Sequence, residues 1–330
     1  MVGLFSSVSL WFNKSLYHRV HRGTQGKAKS GTAVFLATIG SQFRNTMTHM
    51  SSTEQRSTEE QWIESHPYMQ KVAKFQRIVR GVFDGLSASP VAMPRWESYS
   101  VDYETGVPLL LSQVAGLDFT NSASDSLAAA VDRLRESPLP EQLTEHLQNL
   151  REFIFDSEDN RRQTIEWLVT GTPENFSFPD VGLLRFLGWE SIARSLRPVL
   201  AEYAGRRDED SWMRGYCPAC GAQPVLSQLS GDANARQRRL ACGCCRSTWQ
   251  FRRIGCPFCA NENSDRLGIL VVEEEPFLRL DFCRDCSGYL KTYTRSGDEE
   301  FFLSDWSTLY LDVLARQQGL QRKGVSLYEI

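Results

Sequence analysis

Apolar residues recur at three- and four-residue steps over the first part of the chain beyond residue 57, and the pattern then changes. Val72, Phe75, Val79, Val82, Phe83 and Leu86 form one stripe that stops at Pro90. Leu127, Val131 and Leu134 form a second that ends at Pro138, and a third carries Leu143, Leu147, Leu150 and Ile154 after Pro140. Ile165, Leu168 and Val169 lead to Gly171, a residue suited to the left-handed backbone that closes a helix. Val181, Leu184, Leu187, Ile192, Leu196 and Leu200 give a last apolar face. A period near 3.6 predicts helices that each bury one side, so residues 57–204 are expected to form an all-helical domain. Pro67 suits a first helical position after Ser65 and His66. The charge-dense run Gly205–Asp210 reads as a linker.

Beyond it the helical period is lost. The segments STWQFRRI (residues 247–254) and GYLKTYTR (residues 288–295) look like strands, and each follows a cysteine pair. Helical spacing returns from Asp305 to Gly319, where Trp306, Leu309, Val313 and Leu314 make a stripe. The closing GVSLYEI is too short and mixed to assign.

Cysteine carries the chemistry. Eight of the nine cysteines fall into Cys-x-x-Cys pairs: Cys217/Cys220, Cys242/Cys245, Cys256/Cys259 and Cys283/Cys286. Two thiolates on one tight turn grip an ion together, and two such turns complete a tetrahedral sulfur shell. The pairs also repeat. Cys217 to Cys242 is 25 residues and Cys256 to Cys283 is 27, with Arg239-Leu240 and Arg279-Leu280 before the second pair of each unit. Each unit is knuckle, hairpin, knuckle, strand, the plan of a zinc ribbon or a rubredoxin. Cys217, Cys220, Cys242 and Cys245 are therefore expected to hold one ion, and Cys256, Cys259, Cys283 and Cys286 a second. An interleaved set would break the symmetry. No histidine follows His146, so both shells are all sulfur, which suits zinc or iron. Cys244 is left as a bystander or a competing ligand. Pro218 and Pro257 help fix their turns, and Ala260 stands where the first unit has Gly221, so the two sites need not be equal. Trp249 and Tyr289, at matching points after their knuckles, are expected to cover the sulfurs.

Composition narrows the picture. The chain has 330 residues and a net charge of −3, enough for two domains, with no apolar run of the roughly 18 residues needed to cross a bilayer. Clustered close pairs without a secretory signal favour metal-bound thiolates in a reducing cytoplasm over a disulfide framework. The first fifty residues hold six Lys/Arg and no acid. They read as a transit peptide or as an over-extended start before Met47 or Met50, and in either case as lying outside the fold. Residues 211–262 carry seven bases and two acids, among them Arg236, Arg238, Arg239, Arg252 and Arg253, a pattern open to nucleic-acid binding or to solvated strands. The acids Glu273, Glu274 and Glu275 argue against an extended phosphate track. There is no phosphate loop, nucleophile elbow, His–carboxylate cluster or thioredoxin-like βαβ pattern, so no catalytic residues are expected. A rubredoxin-like electron carrier stays open if the metal is iron.

The fold class expected is α+β: an all-helical domain (residues 57–204), a first rubredoxin-like or zinc-ribbon module (residues 211–255), then a second with the closing helix (residues 256–330). The motif W-x-x-x-Y-C-P-x-C-G at Trp212–Gly221, the four cysteine pairs, Tyr289-Leu290-Lys291 and D-x-x-(S/T)-L-x-L-D-x-x-A at Asp305–Ala315 resemble the FdhE family of formate dehydrogenase accessory proteins. GVPLLL at residues 106–111 resembles the family's helical half more faintly. Cys244, Ala260 and the first fifty residues depart from the family pattern. The resemblance implies a cytoplasmic, non-catalytic protein that binds the catalytic subunit of formate dehydrogenase before export. It also implies rubredoxin-like iron, rather than zinc, at the eight paired cysteines.

Overall fold

The structure, a computed structural model, describes residues 57–328 apart from residues 88, 173–175, 177, 179, 232–235 and 273–274. The first fifty residues, and Glu273 and Glu274 with the charge argument built on them, lie outside the described residues.

Nine helices precede the sheet among the described residues: α1 (Thr58–Ser65), α2 (Gln70–Asp84), α3 (Trp96–Thr105), α4 (Thr120–Arg135), α5 (Glu141–Asp156), α6 (Glu158–Thr170), α7 (Val181–Ser195), α8 (Arg197–Arg206) and α9 (Glu209–Trp212). Their ends follow local chemistry. Ser57 and Glu60 form a reciprocal capping box on α1, Ser157 caps α6, and Gly171 closes α6 with φ 74°. The single face read over residues 181–200 is two helices, because Pro198 lacks the N–H to continue α7 and instead opens α8. α4 is the central helix, packed by α2, α5, α6 and α7. Its buried face alternates Leu127, Val131 and Leu134 with Ser122, Ala123, Ser126 and Ala130, small residues that let neighbours approach closely.

The strands are β1 (Leu226–Ser230), β2 (Gln237–Ala241), β3 (Thr248–Phe251), β4 (Leu267–Val271), β5 (Leu278–Cys283) and β6 (Tyr289–Tyr293). Each unit of the repeat is an antiparallel meander, as its cysteine spacing suggests. The meanders then merge into one six-stranded sheet of order β3-β2-β1-β6-β5-β4. The seam is parallel, with Leu226 opposite Lys291 and a buried 2.7 Å hydrogen bond between the Ser227 and Thr292 hydroxyls. No local sequence signal marks that pairing.

The helices pack on the first half of the sheet, where Leu240, Trp249 and Phe251 join the helical core. On the second half, Leu278, Leu280, Tyr289 and Tyr293 pack against Trp62, Met69, Trp306, Leu309 and Tyr310. These come from the start of the helical part and from the tail, which holds α10 (Glu299–Phe302) and α11 (Leu309–Gln317). The tail expected as one helix from Asp305 begins as a 3-10 turn (Asp305–Thr308) before becoming α11. The last described residues return to the helices, with the Tyr328 ring 5.5 Å from that of Phe186.

All four knuckles share one backbone plan. The N–H of the first cysteine donates to the carbonyl five residues on: Cys217 to Ala222 (2.9 Å), Cys242 to Ser247 (3.0 Å), Cys256 to Asn261 (2.8 Å) and Cys283 to Gly288 (2.9 Å). The residue after the second cysteine is left-handed in every case: Gly221 (φ 81°), Arg246 (62°), Ala260 (57°) and Ser287 (57°). Only the first knuckle uses the residue that adopts this conformation without steric cost.

A buried ionic cluster ties the tail to β6. Lys291 is 1% exposed, and its Nζ donates to Asp312 (2.8 Å) and to the Asp305 carboxylate. Tyr289 Oη donates to Asp312 (2.7 Å), and Arg322 pairs with the same carboxylate at 2.8 Å. Burial raises the pKa of Asp305, but the Lys291 ammonium and the Arg322 guanidinium outweigh it and hold the carboxyl below its ordinary value.

Two stability effects follow from these contacts. Ala260→Gly should stabilise the folded protein by about 1 kcal/mol by relieving the left-handed turn, read as a higher denaturant midpoint at equal metal content. Lys291→Ala should cost about 3–5 kcal/mol, because it strands Asp305 in the interior, and the midpoint should fall accordingly.

Candidate metal centres

The sulfurs converge in fours. In the first group the Sγ separations are 3.5 Å for Cys217–Cys245 and 3.4 Å for Cys220–Cys242. In the second they are 3.6 Å for Cys256–Cys286 and 3.7 Å for Cys259–Cys283. All four sulfurs of each group lie within 4.8 Å of one another. A tetrahedron with metal–sulfur bonds of about 2.3 Å has edges of about 3.8 Å. The spacing therefore fits an ion at each centre and is far too long for a disulfide of about 2.05 Å. The first knuckle meets the second and the third meets the fourth, so the interleaved set is not the one brought together.

The groups differ in burial. Cys217, Cys220, Cys242 and Cys245 are all buried, whereas Cys259 is exposed and Cys286 half-buried in the second group. The helical part creates the difference. Leu109 and Leu110 N–H groups donate to the carbonyls of Pro218 and Ala219, each at 2.9 Å, so the GVPLLL segment lies directly on the first knuckle. Tyr203 Oη donates to the same Pro218 carbonyl (3.1 Å). Trp249 shares the core with this sulfur group and donates its indole N–H to Arg214 O (2.9 Å). Burial drives the Cys217 thiol well above its ordinary pKa, and the neighbouring sulfurs do the same to Cys220. Four thiolates in such a place require a cation beside them.

The expectation for Tyr289 is not met. It packs in the second core, away from the sulfurs, and its hydroxyl serves Asp312. Strand alternation explains why, since Tyr289 lies on the face of β6 that meets α11. Cys244 is buried at 2%, and its backbone N–H points at Cys242 Sγ (3.4 Å), but its sulfur is outside the group of four.

The arginines considered for nucleic acid are largely engaged. Arg238 is buried and donates to Gly255 O (2.9 Å), Arg239 grips Glu209 with both terminal nitrogens, and Arg252 pairs with Glu262. Arg207 joins Glu209 at 2.6 Å, so the charged run at 205–210 is tied to β2 and β3. Two polar sites escaped the sequence reading. One is the Lys291–Asp305–Asp312 cluster, whose available signal was Asp312 on the apolar stripe between Leu309 and Val313. The other is the buried pair His66–Glu275, with the imidazole stacked 4.3 Å from Trp62. It had no local signal, since its partners are far apart in the chain.

A family model described as FdhE, central domain, matches residues 216–253, the stretch that holds the first sulfur group. The chain is 27% identical over 293 residues to an FdhE homolog of Pseudomonas aeruginosa, covering 81% of this chain and 86% of that one. It is 27% identical over 188 residues to the Aquifex aeolicus homolog and 33% identical over 143 residues to Salmonella paratyphi A FdhE. Those two matches span 61% and 44% of the relatives' own lengths. The crystal structure of the Pseudomonas aeruginosa FdhE protein superposes with a TM-score of 0.54 over 81% of this chain and 91% of that one, at 24% identity, and so shares the fold. With the helical part, the single sheet and the paired sulfur groups in place, the chain shares its central cysteine motif and its fold with the FdhE proteins.

Proposed function

We propose that the protein is a non-catalytic accessory factor in formate dehydrogenase assembly, acting in the cytoplasm on the catalytic subunit before export. The observation that carries this reading is the pair of four-sulfur centres on one sheet in a chain similar to the FdhE proteins. Residues 57–204 act as a helical body, residues 211–255 as the first metal module, and residues 256–330 as the second with the tail. Cys217, Cys220, Cys242 and Cys245 hold one ion, and Cys256, Cys259, Cys283 and Cys286 the other. Both shells are closed, with no position left for substrate, which fits binding rather than turnover. The metal is iron in this proposal, on the strength of the resemblance, and bound iron would supply a one-electron couple that zinc lacks. The first centre, sealed by residues 106–111, staples the helices to the sheet. The second, with Cys259 at the surface, is the one a partner can reach. No described helix is long and apolar enough to cross a membrane, in keeping with action on a partner before export. The nucleic-acid reading loses support, because Arg239 and Arg252 already pair with carboxylates in the fold.

The decisive experiment is co-purification of the anaerobically prepared protein with the formate dehydrogenase catalytic subunit, alongside formate oxidation in a deletion strain. Recovery of the subunit and loss of activity are expected, whereas full activity in the deletion strain would defeat the proposal. Metal removal should be ordered. A chelator should take the ion of the second centre first, leaving one equivalent and the helical dichroism while the second meander loosens. Cys259→Ser should likewise halve the metal content and loosen the second meander with the helices kept, while Cys220→Ser should unfold the chain, as elemental analysis and dichroism would record.

A further inference from the structure

β4 is the last strand of the sheet, and its outer edge has no strand partner among the described residues. Leu267, Ile269 and Val271 stand opposite Cys283, Asp281 and Arg279, so they share a face with those residues. The other face of β5, with Leu278 and Leu280, is covered by the tail helices and α1. The first face is left open along β4: Ile269 is 55% exposed, Val271 69% and the nearby Ile254 57%. A pocket of about 410 Å³ opens there, floored by Phe258 and Leu290 and bordered by Cys256 and Cys283 of the second centre.

The pocket wall is basic. Arg236, Arg238, Arg253 and Arg279 line it, with Asp281 the only acid among the described residues and paired with Arg279 at 2.8 Å. That leaves three positive charges, and a divalent ion in four thiolates, formally −2, still leaves one. The Nε atoms of Arg236 and Arg238 are buried without a hydrogen-bond partner, and Arg238 is only 6% exposed. Exposed apolar edge strands recruit further strands unless lysine, proline or a bulge blunts them, and LGILV carries no charge and no proline.

We propose that the β4 edge and this open face dock an extended acidic segment of the partner protein. The segment adds as a strand along Leu267–Val271, sets alternate apolar side chains against Ile269, Val271 and the pocket, and places a carboxylate among the arginines. The inference rests on the partner-binding reading above and assigns that reading its surface.

The test measures binding of purified catalytic subunit to the full-length, metal-loaded protein. Ile269→Lys/Val271→Lys places charge on the face, Arg253→Glu reverses the exposed rim charge, and Val101→Lys, on the exposed side of α3, is the control. Metal stoichiometry and dichroism accompany each variant. The first two should weaken binding at least about tenfold, and the control should match wild type. Should the double variant lose metal or fold, Arg253→Glu decides alone. Wild-type affinity in well-folded variants would overturn the surface and leave the partner reading standing, whereas no binding by the wild-type protein would overturn both. Self-association abolished by the double variant would assign the face to a second copy. Tighter binding after removal of residues 1–56 would assign it to the chain's own leading segment. Either result overturns the proposal.

Discussion

The fold depends on sulfur atoms brought within 4.8 Å of one another in two groups of four. The knuckles that do this are closed by single backbone hydrogen bonds and bent through left-handed residues, three of which are not glycine. Such turns cost free energy, and short strands of four to six residues contribute little core to offset it. A structural zinc centre of this kind contributes about 10–16 kcal/mol, far more than that strain. An ion held in each group would therefore account for turns that sequence propensity alone would not form.

Unequal burial follows from how the helices meet the sheet. Backbone donors from Leu109 and Leu110 and the hydroxyl of Tyr203 all reach the first knuckle, so that centre is an internal joint between helices and strands. The second half of the sheet spends one face on Trp62, Trp306 and Tyr310, and the other is open along β4, where Ile269 and Val271 are exposed. One architecture thus yields a sealed centre and an accessible one from nearly the same cysteine motif. Ala260 in place of glycine adds a further difference in the third knuckle.

What could be read from the sequence was local. Helical periodicity placed the stripes on α2, α4, α5, α6 and α7, and Cys-x-x-Cys spacing placed every sulfur in its group, because both signals live within a few residues. The parallel β1–β6 seam was not legible: Leu226 and Lys291 pair across 65 positions with no local mark. Tyr289 was misread because its match to Trp249 in the repeat hid the opposite face it occupies. Lys291, an ordinary surface residue by type, is 1% exposed only because Asp305 and Asp312 arrive from the tail.

That ionic cluster explains why the sheet can be continuous at all. A seam between two independent meanders would leave polar backbone and a lysine at the centre of a six-stranded sheet. Lys291 sits at the seam opposite Leu226, and the tail crosses under it to supply two carboxylates, with Arg322 balancing the second. A buried ion pair contributes less to net stability than apolar packing of the same volume. Its contribution is to make the geometry specific, because only one placement of α11 satisfies Lys291, Tyr289 and Arg322 together. Fixing α11 in turn fixes which face of β5 is covered. The ionic cluster at the seam therefore decides that the opposite face, beside the second sulfur centre, is the one left open.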